Sequence, residues 1–135
     1  VDVAGIEHIG STAVPGLDAK PIVDIMVGLR APLTAEQRDA LELGGYEPRA
    51  KSTRFSLRGD KNFDLYVVQF GSPEWTDALA LRDFLRAHPQ VARSFAEHKR
   101  RVIYGGARTI AAYAERKGPW LANLLDRARA WASLR

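Results

Sequence analysis

The stretch Ile6–Leu29, IEHIGSTAVPGLDAKPIVDIMVGL, restricts the fold more than any other part of the chain. Two apolar runs flank a Gly10-Ser11 turn and a Pro15-Gly16 break. Such a break lets one strand end and another begin. Successive strand side chains point to opposite sides. From Pro21 to Leu29, Val23, Ile25, Val27 and Leu29 therefore share one face, and Ile22, Asp24, Met26 and Gly28 share the other. Asp24 is the anomaly. A carboxylate among β-branched residues is costly unless something pairs with it. The small-residue turn upstream exposes backbone N–H groups suited to an anion. The pattern expects a phosphate at Gly10-Ser11 and a metal ion at Asp24 beside it. A strand-end carboxylate bonded to a cap or an arginine is the plainer alternative.

The remaining elements follow from local signals. Gly5–Ile9 reads as a strand and Gly10–Leu17 as a loop. Thr34 is a candidate cap for a helix to about Leu43, with Glu36 near its positive end and Gly44-Gly45 as its stop. Ser52–Leu57 and Phe63–Phe70 read as a hairpin around Arg58-Gly59-Asp60-Lys61. In its second strand Asp64, Tyr66 and Val68 share a face. Ser72-Pro73-Glu74 opens a helix striped by Trp75, Leu79, Leu81 and Leu85. Pro89 restarts a helix with Val91, Phe95 and Val102 inward, and Gly105-Gly106 breaks it. Thr109 caps a further helix containing Ile110 and Tyr113. Gly118-Pro119 is expected to interrupt it, and a last helix then buries Leu121, Leu124, Leu125, Ala128 and Trp131. The layout is α+β: a small mixed sheet in the first half and helices in the second.

Asp64 supplies a second strand carboxylate. In neighbouring strands at matching register, Asp24 and Asp64 would stand roughly 5–8 Å apart and suit one divalent ion with oxygen ligands. Asp64 also reads as a hairpin residue near Lys61. Lys20 and Arg54 are candidate phosphate contacts or plain solvated charges. His8, His88 and His98 have no ligand-like spacing. There is no P-loop, dinucleotide fingerprint or serine elbow.

A chain of 135 residues, 46% of them hydrophobic, is long enough for one domain with its own core. No apolar run approaches the roughly 20 residues that span a bilayer. The absence of Cys removes disulfide scaffolds and thiolate metal sites and fits a reducing, cytoplasmic setting. No secretory signal is visible. The net charge of +4 is uneven: from Lys99 onward nine basic and two acidic residues give +7, which leaves −3 for residues 1–98. A basic tail can attract phosphates. Nucleic acid ranks below a small ligand, because Trp120 and Trp131 fit an apolar helix stripe better than a stacking platform. Oligomeric state is not legible.

The run EHIGSTAVPGLDAKPIVDIMVGL closely resembles the signature of the GrpB-like family. The resemblance continues through GSPEW at Gly71–Trp75 and LRDFLRAHP at Leu81–Pro89, with a looser echo at Tyr113, Lys117 and Trp120-Leu121. It covers nearly the whole chain. Members usually carry a further N-terminal segment with a helix, which the sequence as given lacks. The resemblance implies a nucleotidyltransferase-like fold, in which a Gly-Ser turn binds nucleotide phosphates, an Asp-x-Asp/Glu pair holds metal ions, and a neighbouring strand adds a third acid. On this chain Gly10 and Ser11 match the turn, with Thr12 beside them. Asp24 matches the first acid and Asp64 the third. The second falls on Met26, and Asn62–Tyr66 replaces a run that is often His-rich in the family. A thioether cannot stand in for a hard oxygen ligand to Mg²⁺.

Two functions follow as expectations. One is Mg²⁺-dependent nucleotidyl transfer from a nucleoside triphosphate to an unknown acceptor, with Asp24 and Asp64 as catalytic metal ligands. Gly10, Ser11 and Thr12 would hold phosphates, assisted by Lys20, Lys99 and Lys117. The other is a degenerate nucleotide- or phosphate-ligand-binding module. Beside these two stands a third possibility, a domain accessory to coenzyme A biosynthesis, since domains resembling this family occur fused to dephospho-coenzyme A kinases.

Overall fold

The computed structural model describes residues 2–17, 22–49, 54–104 and 110–134, with side chains described outside 99–104 and 110–117. Strand β1 (Val3–Ile9) leads through a single 3₁₀ turn (Ser11–Ala13) toward β2 (Ile22–Leu29). Helix α1 (Ala35–Leu43), β3 (Glu47–Pro48), β4 (Arg54–Leu57) and β5 (Asn62–Gln69) follow, then α2 (Pro73–Ala87), α3 (Pro89–Tyr104) and α4 (Ile110–Ser133). The five strands form one sheet in the order β1-β2-β5-β4-β3. β2 and β5 run parallel, and the other pairs are antiparallel. The mixed α+β architecture expected from the periodicities is present. Among the described residues, no helix is long and apolar enough to cross a membrane.

The chain divides into two compact units, one of residues 1–13 and 19–78, the other of residues 14–18 and 79–135. In the first, the odd-numbered face of β2 and β5 forms the core. Leu29, Phe55 and Val67 are buried there, with Val27, Leu41 of α1, Tyr46 and Leu65 against them. Helix α1 starts as its cap predicts. Gln37 donates its backbone N–H to the Thr34 hydroxyl at 3.2 Å, and the Gln37 side chain accepts from the Thr34 N–H at 2.8 Å. It ends at Gly44-Gly45, where Gly45 has φ of 96°, a conformation that costs glycine nothing.

The opposite face is not left open. Met26 is only 1% exposed. Gly28 pairs with Gly5 of β1, and the two glycines form a trough for the Trp75 indole. A Cβ at either would come within 2.8 Å of the ring. Phe70 lies 5.0 Å from the same ring.

In the second unit, Val14, Phe84, Leu85, Ala92, Leu124 and Ala128 make a separate apolar cluster. Phe84 contributes more to it than the stripe Trp75–Leu79–Leu81–Leu85 foresees, because Trp75 belongs to the sheet. The break expected at Gly118-Pro119 does not occur: α4 runs unbroken through Pro119. Proline removes one intrahelical bond and crowds the preceding turn. Here Leu121, Leu124, Ala128 and Trp131 continue one apolar stripe into the cluster, so tertiary packing outweighs the local penalty. The two-residue β3 has no local signal in the sequence. The expected breaks and caps at Gly105, Gly106 and Thr109 lie outside the described residues, as do the side chains of Val102, Ile110 and Tyr113.

Candidate functional site

The turn after β1 is built around Gly10, whose φ is 76°. In that left-handed region a side chain is strained. A second constraint acts at the same residue. A Cβ there would collide with Oδ2 of Asp24 and stand 3.0 Å from its Cγ. Asp24 therefore turns its carboxylate onto the backbone of the Gly-Ser turn. The 3₁₀ turn that follows is closed by Ala13 N–H donating to Gly10 C=O at 3.0 Å. The Thr12 hydroxyl is already engaged with His8 Nε2 at 2.8 Å, a partnership with no sequence signal beyond the four-residue spacing.

Strand pairing supplies what one sequence could not. Asp24 is the register partner of Ile9 on β1 and of Asp64 on β5. Asp64 is in turn opposite Ser56 on β4. The two carboxylates thus stand side by side on one face of the sheet. Their surroundings differ. Asp64 is 3% exposed. Its Oδ2 accepts from Arg54 Nη2 at 2.8 Å, and its Oδ1 accepts from Arg58 Nη2 at 2.9 Å and Ser56 Oγ at 2.8 Å. Ser56, itself buried, accepts from Arg49 Nε at 2.7 Å. Burial alone would raise the Asp64 pKa. The hydrogen bonds from Arg54, Ser56 and Arg58 outweigh it and hold the carboxyl at about 2.

The charge pattern extends one row further. Arg54 faces Tyr66 across the β4–β5 pair, its guanidinium carbon 5.2 Å from the ring centroid. Burial, then the charge of Asp24, pushes the Tyr66 hydroxyl upward. Arg54 is held more firmly protonated by its bond to Asp64, with Asp24 adding to the effect. The negative charge of Asp24 therefore reaches both residues. The arginines of this network are the least legible part of the site; from the sequence Arg54 reads as a candidate phosphate contact or a plain solvated charge. Their convergence depends on β4 pairing with β5.

Of the residues expected at the site, the structure brings together Gly10 and Asp24, and separately Asp24 and Asp64. Ser11 and Thr12 follow Gly10 in the turn. Lys20 lies outside the described residues. Lys99 falls in α3 and Lys117 in α4, with their side chains outside the described set. Met26, at the position of the second acid, is sealed from solvent. Among the described residues, no three His, Cys, Asp or Glu side chains are grouped to hold a metal ion.

A mixed five-stranded sheet followed by three helices, with a Gly-Ser turn resting on a strand aspartate, defines a class of α+β proteins to which this chain conforms. The family model described as "GrpB protein" matches residues 1–127, and the chain belongs to that family. It is 28% identical over 137 residues to the "UPF0157 protein YqkA" of Bacillus subtilis, covering 96% of this chain and 40% of that protein. The crystal structure of the conserved protein GrpB from Enterococcus faecalis superposes with a TM-score of 0.73 at 29% identity, over 96% of this chain and 84% of that one. A more distant relative is a dephospho-CoA kinase of Mycobacterium leprae, 29% identical over 162 residues, with 94% of this chain and 40% of that protein covered. The chain spans less than half the length of YqkA and of the kinase.

Proposed function

We propose that this chain binds a phosphate-bearing small molecule, a nucleotide or coenzyme A precursor, on the face carrying Asp24 and Asp64. In this reading arginine, rather than a pair of metal ions, supplies the counter-charge. The observation that carries it is the engagement of Asp64. Its three described hydrogen bonds come from Arg54, Arg58 and Ser56. A divalent ion there would compete with two guanidinium groups for a buried carboxylate. With Met26 buried at the second-acid position, the residues do not fit the two-metal arrangement of in-line nucleotidyl transfer, which needs bridging carboxylates. A phosphate seated on the turn amides would meet the Asp24 carboxylate, so it requires a neighbouring cation. Arg54, already coupled to Asp24, is the candidate. The similarity to a dephospho-CoA kinase favours a coenzyme A precursor among the ligands to be tried.

Isothermal titration with ATP, with dephospho-CoA and with inorganic phosphate tests this. The expected result is saturable binding of a phosphate ligand in EDTA, changed only a few-fold by Mg²⁺ and weakened roughly ten-fold or more in Arg54→Gln. Met26→Asp should not create a metal site. It should lower stability by about 3 kcal/mol or more, because it buries an uncompensated charge.

Mg²⁺-dependent transfer to an unknown acceptor is the second reading, favoured by the Asp24–Asp64 register. Binding that appears only with Mg²⁺, with pyrophosphate release abolished by Asp24→Ala, would establish it and remove the first.

A further inference from the structure

At the end of β2 and β5 away from Asp24 the sheet opens into a second concavity. β2 ends at Leu29 and β5 at Gln69, which are register partners. The chain leaves these ends toward opposite faces. α1 packs through Leu41 on the odd face, with Leu29 and Phe55. α2 begins at Pro73 and lays Trp75 on the even face, over Gly5 and Gly28. Neighbouring parallel strands whose following elements diverge leave a crevice at their carboxyl ends. Here it measures about 510 Å³, a size ordinary for a small-molecule site. Leu29 and Val67, both buried, form its floor, and Pro32 and Leu33 extend that apolar surface.

Three charged residues line the crevice, and two of them are already engaged. Arg30 donates Nη1 to Asp2 at 2.7 Å, an ion pair that cancels its charge at the rim. Arg38 belongs to the α1 wall. Its guanidinium carbon lies 5.4 Å from the ring centroid of Phe55 on β4, and it has a further partner. Glu74 differs. It stands on the α2 wall, in the first turn of that helix, and is exposed. Among the described residues its carboxylate has no hydrogen bond and no ion pair. The unused charge of the crevice is therefore a single carboxylate above an apolar floor.

We infer that this crevice binds a small organic amine as its ammonium ion, with the N–H groups on the Glu74 carboxylate and the apolar body on Leu29 and Val67. An ammonium carries three donors and no acceptor, the complement of an ionised carboxylate. A carboxylate ligand would meet Glu74 and find both guanidinium groups occupied. An alcohol keeps the apolar contact and loses the charge-assisted bond. A bare divalent ion needs several oxygen ligands, which one carboxylate does not supply. Arg38 makes no ion pair with Glu74, so the ammonium touches its opposite charge and faces the like one only across the crevice, where solvent screens it. The site is separate from the Asp24 face and independent of the reading given for it.

The test uses the full ¹⁵N-labelled chain at neutral pH, titrated with hexylamine, hexanol and hexanoate. Hexylamine should produce saturable amide shifts at residues 29–31, 33, 67–69 and 74. Hexanol should bind roughly three- to ten-fold more weakly, the worth of one charge-assisted bond on an exposed carboxylate, and hexanoate more weakly still. Glu74→Gln should bring hexylamine down to the affinity of hexanol. If Glu74→Gln fails to fold by circular dichroism, Ala31→Trp, which fills the cavity from an exposed loop residue, should abolish the hexylamine shifts. Absence of shifts at these residues with hexylamine, equal or tighter binding of hexanol or hexanoate, an amine preference that survives in Glu74→Gln, or full binding in Ala31→Trp would each overturn the inference.

Discussion

Two guanidinium groups and a buried hydroxyl converge on the Asp64 carboxylate, and this residue makes the most measurable single contribution. Its folded pKa of about 2 lies below the ordinary value of 3.8. Depression of this sign stabilises the fold above the unfolded pKa and is lost as pH falls through the folded one. The Asp64 side chain is only 5% exposed, but Arg54 and Arg58 are 44% and 40% exposed, so screening trims the contribution to about 1–2 kcal/mol. Urea unfolding should show that contribution intact above about pH 4 and fading between about pH 4 and pH 2. In Asp64→Asn the neutral-pH stability should drop by about 1–3 kcal/mol, and the acid limb should flatten, because Arg54, Arg58 and Ser56 lose the charged acceptor they converge on. An unchanged acid limb would mean that other carboxylates govern it.

At the scale of elements, the junction of β1, β2 and α2 rests on absent side chains. Gly5 and Gly28 are register partners, and the Trp75 ring occupies the space their Cβ atoms would fill. Gly28→Val should cost about 1–3 kcal/mol through overpacking, despite the better strand propensity of valine. Trp75→Ala should cost about 3–5 kcal/mol. The double variant should cost less than the sum, since valine in the vacated trough no longer meets the ring. Thermal or urea unfolding of the three chains checks this. Additive losses would show that the trough is not shared. The motif Gly-Ser-Pro-Glu-Trp is legible in the sequence as a helix start, with Thr76 N–H closing on Ser72 C=O at 3.0 Å. That its tryptophan faces two glycines from distant strands is not.

At the scale of the whole molecule, the described residues include two apolar clusters. One lies under the sheet around the fully buried Phe55, and one lies among the helices around Leu124 and Ala128. Leu124→Ala should cost about 2–5 kcal/mol and Phe55→Ala about 3–5 kcal/mol. Native-state hydrogen exchange should show each loss of protection concentrated in the amides of its own unit, since regions of a fold open in separate cooperative pieces. Equal loss everywhere would mean that the two units open as one.

The chain written out in order already held the strand alternation around Asp24, the Thr34 cap, the Gly44-Gly45 stop and the start of α2. Each of these depends on neighbours a few residues away. The Gly10-Ser11 turn and its aspartate were legible for the same reason, and so was the family. The tertiary structure decided the rest. It put Asp24 opposite Asp64, brought Arg54 and Arg58 onto that second acid, closed the Met26 position to water, and carried α4 through Pro119. Those outcomes turn on strand register and on packing between distant segments. Local propensity sets neither, because a one-residue slip or an uncovered face would leave every local signal unchanged and still take the site apart.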